Sequence, residues 1–228
     1  MLSVLVAHSA RSVIRHEGRR IVLFPNTVRS LRHAANRSGV SCELIVADWP
    51  EHEPSTRARL GRWLDVVAAD LPHRVVSFYG PFNKGLCLNA LARGLPADRQ
   101  HLLFLDADML VPDELLTRGL AHLAAGRAWF AGYLATRENG TLSPPRTPGC
   151  GNVFMTRRQF DALLAERGGW PENRTWGRFD QPVADWFEAR GWSAEPRRDR
   201  SIVPGFVHQW HPKLIGWQRP AEPQEKVA

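Results

Sequence analysis

The residues best equipped for chemistry stand in the segment HLLFLDADMLVPDELL, His101 to Leu116. Four apolar residues, Leu102 to Leu105, run directly into Asp106-Ala107-Asp108. A short unbroken apolar run bounded by polar residues reads as a buried strand. Two carboxylates at its end are expensive to desolvate unless a cation or hydrogen-bond donors meet them. Side chains two positions apart on a strand share a face, so Asp106 and Asp108 are expected to point the same way, with the small Ala107 turned aside. Carboxylate oxygens suit hard divalent cations, Mg2+ or Mn2+, and such a cation neutralises a diphosphate. The competing reading is that the pair caps the helix after Pro112, a task for which Asp113 is better placed.

Other candidates surround this one. Lys84 follows the turn Gly-Pro-Phe-Asn and could meet a phosphate as a point charge, or lie solvated along its stem. Arg11, just past the first apolar run, fits a phosphate or ribose contact equally as well as a solvated side chain. Asp48 ends the apolar run CELIVA, with Trp49 beside it as a ring for stacking; as a turn residue Asp48 needs no further role. In RTWGRFDQPVADWFEARG, Asp180 stands at a helix start, where it can cap the helix and where the helix dipole favours a carboxylate; Asp185 lies deeper in that helix. The loop GTLSPPRTPGCGNVF carries Gly149 and Gly151, which permit close backbone approach. Trp170, Trp176 and Trp210 suit either sugar stacking or core packing.

The elements that must position these groups alternate. Strands are expected at Leu2–Ala7, Ile21–Phe24, Cys42–Ala47, Arg74–Phe78 and Leu102–Leu105. Helices are expected after Asn26 or Thr27, after Ser55 or Thr56, over Asn83–Arg93 and after Pro112. Strand–helix alternation predicts a parallel sheet covered by helices on both faces, with ligands beyond the carboxyl ends of the strands. Asp48, Asn83-Lys84 and Asp106-Ala107-Asp108 all follow strands and should converge there. In the second half, Trp129–Ala135 and Val153–Thr156 read as strands, and Arg157–Arg167 and Gln181–Arg190 as helices. Seven of nine tryptophans fall between Trp129 and Trp217. The chain past Pro212 is polar.

Composition bounds the rest. The 228 residues suit one domain, and no run approaches the ~20 apolar residues of a membrane span. The first residues read as a strand, not a signal peptide. Cys42, Cys87 and Cys150 are far apart and odd in number, matching neither a disulfide framework nor a zinc site; a reduced, cytoplasmic setting is expected. The net charge of +7, from 30 Lys+Arg against 23 Asp+Glu, admits a polyanionic partner or a merely basic surface. Arg157, Arg158, Arg167, Arg174, Arg178, Arg190, Arg197, Arg198 and Arg200 concentrate positive charge in the second half of the chain, where a polyanion or solvent would meet them.

The stretch FNKGLCLNALARGLPADRQHLLFLDADMLVPDELL resembles the central part of inverting, nucleotide-sugar-dependent glycosyltransferases of the GT-A fold, family 2 and its galactosyltransferase-like relatives. Those enzymes carry an N-x-G segment, an Asn in the next helix, a strand, D-x-D and a Pro-opened helix; Asn83, Gly85, Asn89, Asp106 and Asp108 match by position. The likeness extends more loosely from Leu2 to about Pro212. It implies a GT-A fold, a Rossmann-like, mostly parallel sheet with helices on both faces. Residues 1–212 would form one domain, with a nucleotide-binding half over 1–110, an acceptor half over 111–212 and a polar tail over 213–228.

For the site, the resemblance implies a Mn2+ or Mg2+ ion on Asp106, Asp108 and the late His208, with His211 as substitute. It implies a nucleoside-diphosphate sugar, UDP-linked, contacted by Asp48, Asn89 and Asp106, with Lys84 and Arg11 as further candidates at the nucleotide, and Asp180 as catalytic base with Asp185 as the spare. The acceptor is expected to be a glycan, a small molecule or a nucleic-acid base. Departures are visible: Asp-Trp-Pro-Glu, beginning at Asp48, stands where those enzymes have two acids followed by Gly-Ser, and Phe179 replaces the second acid of the usual Glu-Asp pair. A nucleotide-sugar-forming enzyme of similar fold should show a glycine-rich loop after its first strand, and VAHSARSVIR contains no glycine. A nucleic-acid-binding protein would leave the D-x-D unexplained.

Overall fold

The computed structural model describes residues 1–9, 13–49, 55–80, 82–144, 151–172, 180–196 and 200–212. Its first half contains β1 (Leu2–Ser9), β2 (Val13–His16), β3 (Arg19–Val22), α1 (Phe24–Ser38), β4 (Cys42–Trp49), α2 (Ser55–Val67), β5 (His73–Ser77), α3 (Lys84–Arg93) and β6 (His101–Phe104). There follow β7 (Met109–Leu110), α4 (Asp113–Ala124), β8 (Trp129–Phe130), β9 (Gly132–Thr136), β10 (Leu142–Ser143), β11 (Val153–Thr156), α5 (Arg157–Arg167), α6 (Gln181–Ala189) and β12 (Ile202–His208).

The main sheet has the order β5-β4-β1-β6-β11-β8. Its first four strands are parallel, and β11 runs antiparallel between β6 and β8. Alternation along β1 sends Leu2, Val4 and Val6 into a core shared with α1, α2 and α4, and Leu5 and Ala7 into the opposite core under α3, α5 and α6. A strand buried on both faces reads as a continuous apolar run, which is why β1, β4 and β6 are legible as sequence. The architecture is the expected α/β sheet, mainly parallel, with helices on both faces.

The register fixes a functional edge. His8 pairs with Asp48, Asp48 with Ser77, and Leu5 with Phe104, so the carboxyl ends of β1, β4, β5 and β6 lie side by side. Because β11 is reversed, Val153 sits opposite Phe104 and Thr156 opposite His101. Gly151 and Asn152 therefore reach the functional edge, and Arg157 stands at the far one.

A second sheet, β10-β9-β12-β7, stands beside this edge. Neither β7 nor β12 was expected; VPGFVH shows only an apolar run, and β7 has two residues. The expected strand Trp129–Ala135 divides into β8 and β9. The helix expected after Asn26 or Thr27 begins earlier, at Phe24, without a side-chain cap. Pro25 lies in its first turn, where a missing N–H is harmless. Thr27 instead donates to the carbonyl of Ala107 at 2.9 Å, tying α1 to the D-A-D turn. No helix among the described residues is long and apolar enough to cross a membrane.

Candidate active site

Asp108 is brought to its partners by backbone pairing. β7 begins at the next residue, and its Met109 pairs with His208 at the end of β12. The Gln209 N–H donates to the Asp108 carbonyl at 2.8 Å. The Gln209 side chain accepts from Asn26 at 3.0 Å and donates to the Leu23 carbonyl at 3.2 Å, anchoring this segment on α1. His208 Nε2 and His211 Nε2 each come within 3.2 Å of Asp108 Oδ2. Asp108 Oδ1 is buried and has no hydrogen-bond partner among the described residues.

Charge follows this geometry. Burial works against the ionised Asp108, but the hydrogen bonds from His208 and His211 outweigh it and hold the carboxyl well below the usual carboxylate range. Burial likewise lowers His208, and its bond to Asp108 overcomes that and raises it; for His211 its own bond to Asp108 is the larger effect and raises it against burial. Ligand atoms of Asp108, His208 and His211 all lie within 4.8 Å of one another.

Asp106 is held differently. Both aspartates lie in the turn between β6 and β7, not on a strand, so strand alternation does not govern where they point. Asp106 Oδ1 accepts from Lys84 Nζ. The Asp106 N–H donates to Asn152 Oδ1 at 2.9 Å, and Asn152 Nδ2 lies 3.4 Å from Asp106 Oδ2. A Cβ on Gly151 would stand 2.5 Å from that same oxygen, so the glycine of the quoted loop is what admits the carboxylate. Of the expected trio Asp106, Asp108 and His208, the structure thus gathers Asp108 and His208 with His211, while Asp106 pairs with Lys84.

Lys84 links these groups to Asp180. Burial lowers its pKa, but the charge of Asp106 and their hydrogen bond, then the charges of Asp180 and Asp108, raise it overall. Asp180 stands at the N-cap position of α6 with helical backbone angles and makes no side-chain capping bond. The capping reading of Asp180 is therefore not realised. Asp185 is exposed and bonds to Gln181 within its own helix at 2.5 Å.

A second carboxylate corner lies one strand over. His8 Nδ1 and Asp48 Oδ1 are 2.9 Å apart, with His8 4% and Asp48 1% exposed. Asp48 Oδ2 is buried without a hydrogen-bond partner among the described residues. The Phe24 ring of α1 lies 4.6 Å from the His8 ring. Each residue was visible as a strand end; the pairing needed the parallel register.

Other expectations meet different outcomes. Trp49 is buried, stacked on Phe78 at 5.6 Å with its N–H bonded to the Gly80 carbonyl; its ring belongs to the core, which corrects the stacking role. Asn89 is buried and latches a turn: its Oδ1 accepts from Trp170 N–H at 2.8 Å and its Nδ2 donates to the Trp170 carbonyl at 3.0 Å. Its amide is thus committed to the chain and not turned to a nucleotide. Trp170 is core. Arg11, Gly149, Cys150, Trp176 and the tail 213–228 lie outside the described residues. Cys42 and Cys87 are free, and burial pushes both thiols up to about 12, so neither suits nucleophilic work.

The arginine reading also changes. Arg157, at the far edge, bonds Asp161 and the carbonyls of Ala92 and Leu95. Arg190 pairs with Glu166 and covers the Trp186 ring at 4.1 Å. The Arg200 side chain is 2% exposed and lies 3.9 Å from Glu188. These three serve the fold rather than an acceptor surface.

Comparison with known proteins places the architecture. No family model matches the chain, and no curated protein matches its sequence. Solved structures do match. One is the mannosyltransferase PcManGT from Pyrobaculum calidifontis, in complex with GDP-Man and Mn2+, at 16% identity and TM-score 0.58 over 95% of this chain and 58% of that one. Another is S. aureus TarS 1-349, at 14% identity and TM-score 0.58 over 91% and 60%. A third is 4-diphosphocytidyl-2C-methyl-D-erythritolsynthase from Anaerococcus prevotii, at 12% identity and TM-score 0.52 over 93% and 89%. The chain spans about three fifths of the first two. It has the GT-A fold of nucleotide-diphospho-sugar transferases. The choice of chemistry within that fold rests on the site.

Proposed function

We propose that this chain is a metal-dependent, inverting glycosyltransferase that moves a sugar from a UDP-linked donor to an acceptor hydroxyl on a glycan or small molecule. The observation that carries this reading is the Asp108–His208–His211 cluster at the carboxyl edge of the sheet, with one buried carboxylate oxygen left unpartnered. That mixed oxygen and nitrogen donor set suits Mn2+, and the orphaned oxygen costs free energy until a ligand meets it. In this reading Asp108, His208 and His211 hold the ion, with Asp106 beside them. The ion supplies charge that stabilises the leaving diphosphate. PcManGT, of like fold, is a mannosyltransferase bound to GDP-Man and Mn2+.

The protein's own groups then divide the work. The acceptor oxygen attacks the anomeric carbon as the bond to the diphosphate breaks on the opposite side. Asp180 takes the acceptor proton, and Lys84 meets a phosphate oxygen as a point charge. Arg11 remains in its expected role at the nucleotide. Asp48, one oxygen held by His8, offers its other oxygen to a single N–H donor, which matches the lone imide N–H of uracil. Asn89 positions the turn before Glu172 instead of touching the donor. Residues 1–110 carry the nucleotide and 111–212 the acceptor, with the metal corner shared through His208 and His211.

The test is nucleotide release across a panel of UDP- and GDP-sugars, with Mn2+ or with EDTA. Turnover with a UDP-sugar is expected in Mn2+ and should vanish in EDTA; undiminished turnover in EDTA would refute the metal reading. Asp180→Asn should lower the rate about 10²–10⁴-fold with UDP affinity unchanged. Near-normal turnover would remove Asp180 from the chemistry.

A further inference from the structure

The metal corner contains a cation of its own. Lys84 leaves the first turn of α3, which Asn83 fixes by accepting from the Leu86 N–H at 3.0 Å. Its Nζ meets Asp106, and both side chains are 27% exposed, so the pair borders solvent and can part. Asp106 has both oxygens engaged, Oδ1 by Lys84 and Oδ2 by the amide of Asn152. Asp108, two residues on, keeps an oxygen unpartnered. The two aspartates share one short turn: Asp106 follows β6 and Asp108 precedes β7, with Lys84 on the first and His208 and His211 on the second.

Resting on the glycosyltransferase reading above, we propose that Lys84 is an exchangeable counter-ion that neutralises Asp106 in the absence of donor, opposes a cation at Asp108, His208 and His211, and moves to the donor diphosphate, so that metal and nucleotide bind cooperatively. The physics is that of like charges in a partly buried site. An ammonium beside Asp106 repels a dication at the neighbouring carboxylate, and partial burial weakens the screening. A diphosphate carries more negative charge than one carboxylate and offers Lys84 a stronger partner. The flexible four-carbon stem of lysine permits the exchange, where the fork of an arginine would hold a carboxylate bidentately. Linkage makes the effect reciprocal: whatever UDP does to Mn2+ affinity, Mn2+ does to UDP affinity.

The experiment measures Mn2+ binding to the full chain by the electron paramagnetic resonance signal of free Mn2+, with and without UDP. In the wild type, UDP should tighten Mn2+ binding on the order of tenfold or more, a coupling of the usual allosteric size. Lys84→Met should bind Mn2+ alone about tenfold more tightly than wild type and lose most of the tightening by UDP. Lys84→Arg, which keeps the charge, should bind Mn2+ alone as the wild type does. Circular dichroism melting checks that each variant folds; should Lys84→Met fail to fold, Lys84→Gln, which retains a donor for Asp106, carries the same expectation. Mn2+ affinity unchanged by removing the charge, or full UDP coupling without it, would overturn the inference while leaving the metal site intact. A wild type that binds no Mn2+ even with UDP would bring down the metal reading itself, and this inference with it.

Discussion

Asp48, near the end of β4, and Asp108, in the turn before β7, are both bonded to histidine, and each keeps one buried oxygen without a partner among the described residues. Their surroundings differ in two respects. Asp48 is bonded by His8 from the adjacent parallel strand, in register, and the pair is almost fully buried. Asp108 is bonded by two histidines from across a second sheet, with side-chain exposures of 18% for Asp108, 30% for His208 and 19% for His211. A dication needs several ligands and an entry path; the Asp108 corner has both. The Asp48 corner presents one dry acceptor and suits a hydrogen-bond donor on a ligand. The same two residue types acquire different roles from ligand count and exposure.

The largest effect expected separates the corners outright. Asp108→Asn should weaken Mn2+ binding by at least about 100-fold, since loss even of a group supporting a ligand costs 10–100-fold. Asp48→Asn should leave Mn2+ binding unchanged and weaken UDP. Titration calorimetry with Mn2+ on both variants decides it. If Asp48→Asn also lost Mn2+, the two corners would be one site and the distinction would fail.

A smaller effect is expected at His8. Replacing it with Phe preserves a ring against Phe24 but removes the bond that orients Asp48. UDP affinity should fall about tenfold, roughly 1.4 kcal/mol, and the preference for UDP over GDP should shrink, because an unrestrained carboxylate can offer both oxygens to guanine. The His8→Gln variant, able to donate the same bond, should recover part of the preference. A uniform loss of affinity for both nucleotides, unrecovered by Gln, would make His8 a packing residue only.

How much of this was legible depended on sequence distance. The parallel half announces itself because β1, β4 and β6 are buried on both faces and read as apolar runs. Asp48 and Asp106 follow from standing at or just past strand ends, and Lys84 from opening the helix that follows β5. Asn152 and Gly151 were harder, since β11 is reversed and only its register shows that its start, not its end, meets Asp106. The Asp108 corner was partly legible: His208 stood out by its apolar approach, but β7 has two residues and no periodicity, so the pairing that sets His208 against Asp108 left no signal. Asn89 and Trp49 misled in the same way. Each matched a functional position, yet a buried amide and a buried ring satisfy themselves within the chain when neighbours allow, and sequence shows no neighbours.

The smallest effect expected concerns pH and acts on the metal corner with opposite signs in its two states. Without metal, His208 and His211 have raised pKa values because Asp108 accepts their hydrogen bonds. A raised folded-state pKa contributes stability that is full below the ordinary histidine value of ~6.5 and is lost as pH rises through the folded value. The depressed Asp108 carboxyl contributes above its ordinary value of ~3.9, so it is already fully active in this range. The metal-free melting temperature should therefore drop by a few degrees as pH rises from about 6 to about 8. Metal binding runs the other way, because an imidazole must shed its proton to ligate. The stabilisation added by saturating Mn2+ should then grow across the same interval. Differential scanning fluorimetry of the wild type with EDTA and with Mn2+, at three pH values, reads both slopes. The His208→Gln, His211→Gln double variant should flatten both. Parallel slopes with and without Mn2+ would mean that the histidines bond Asp108 but do not ligate, and the metal corner would lose its two nitrogen donors.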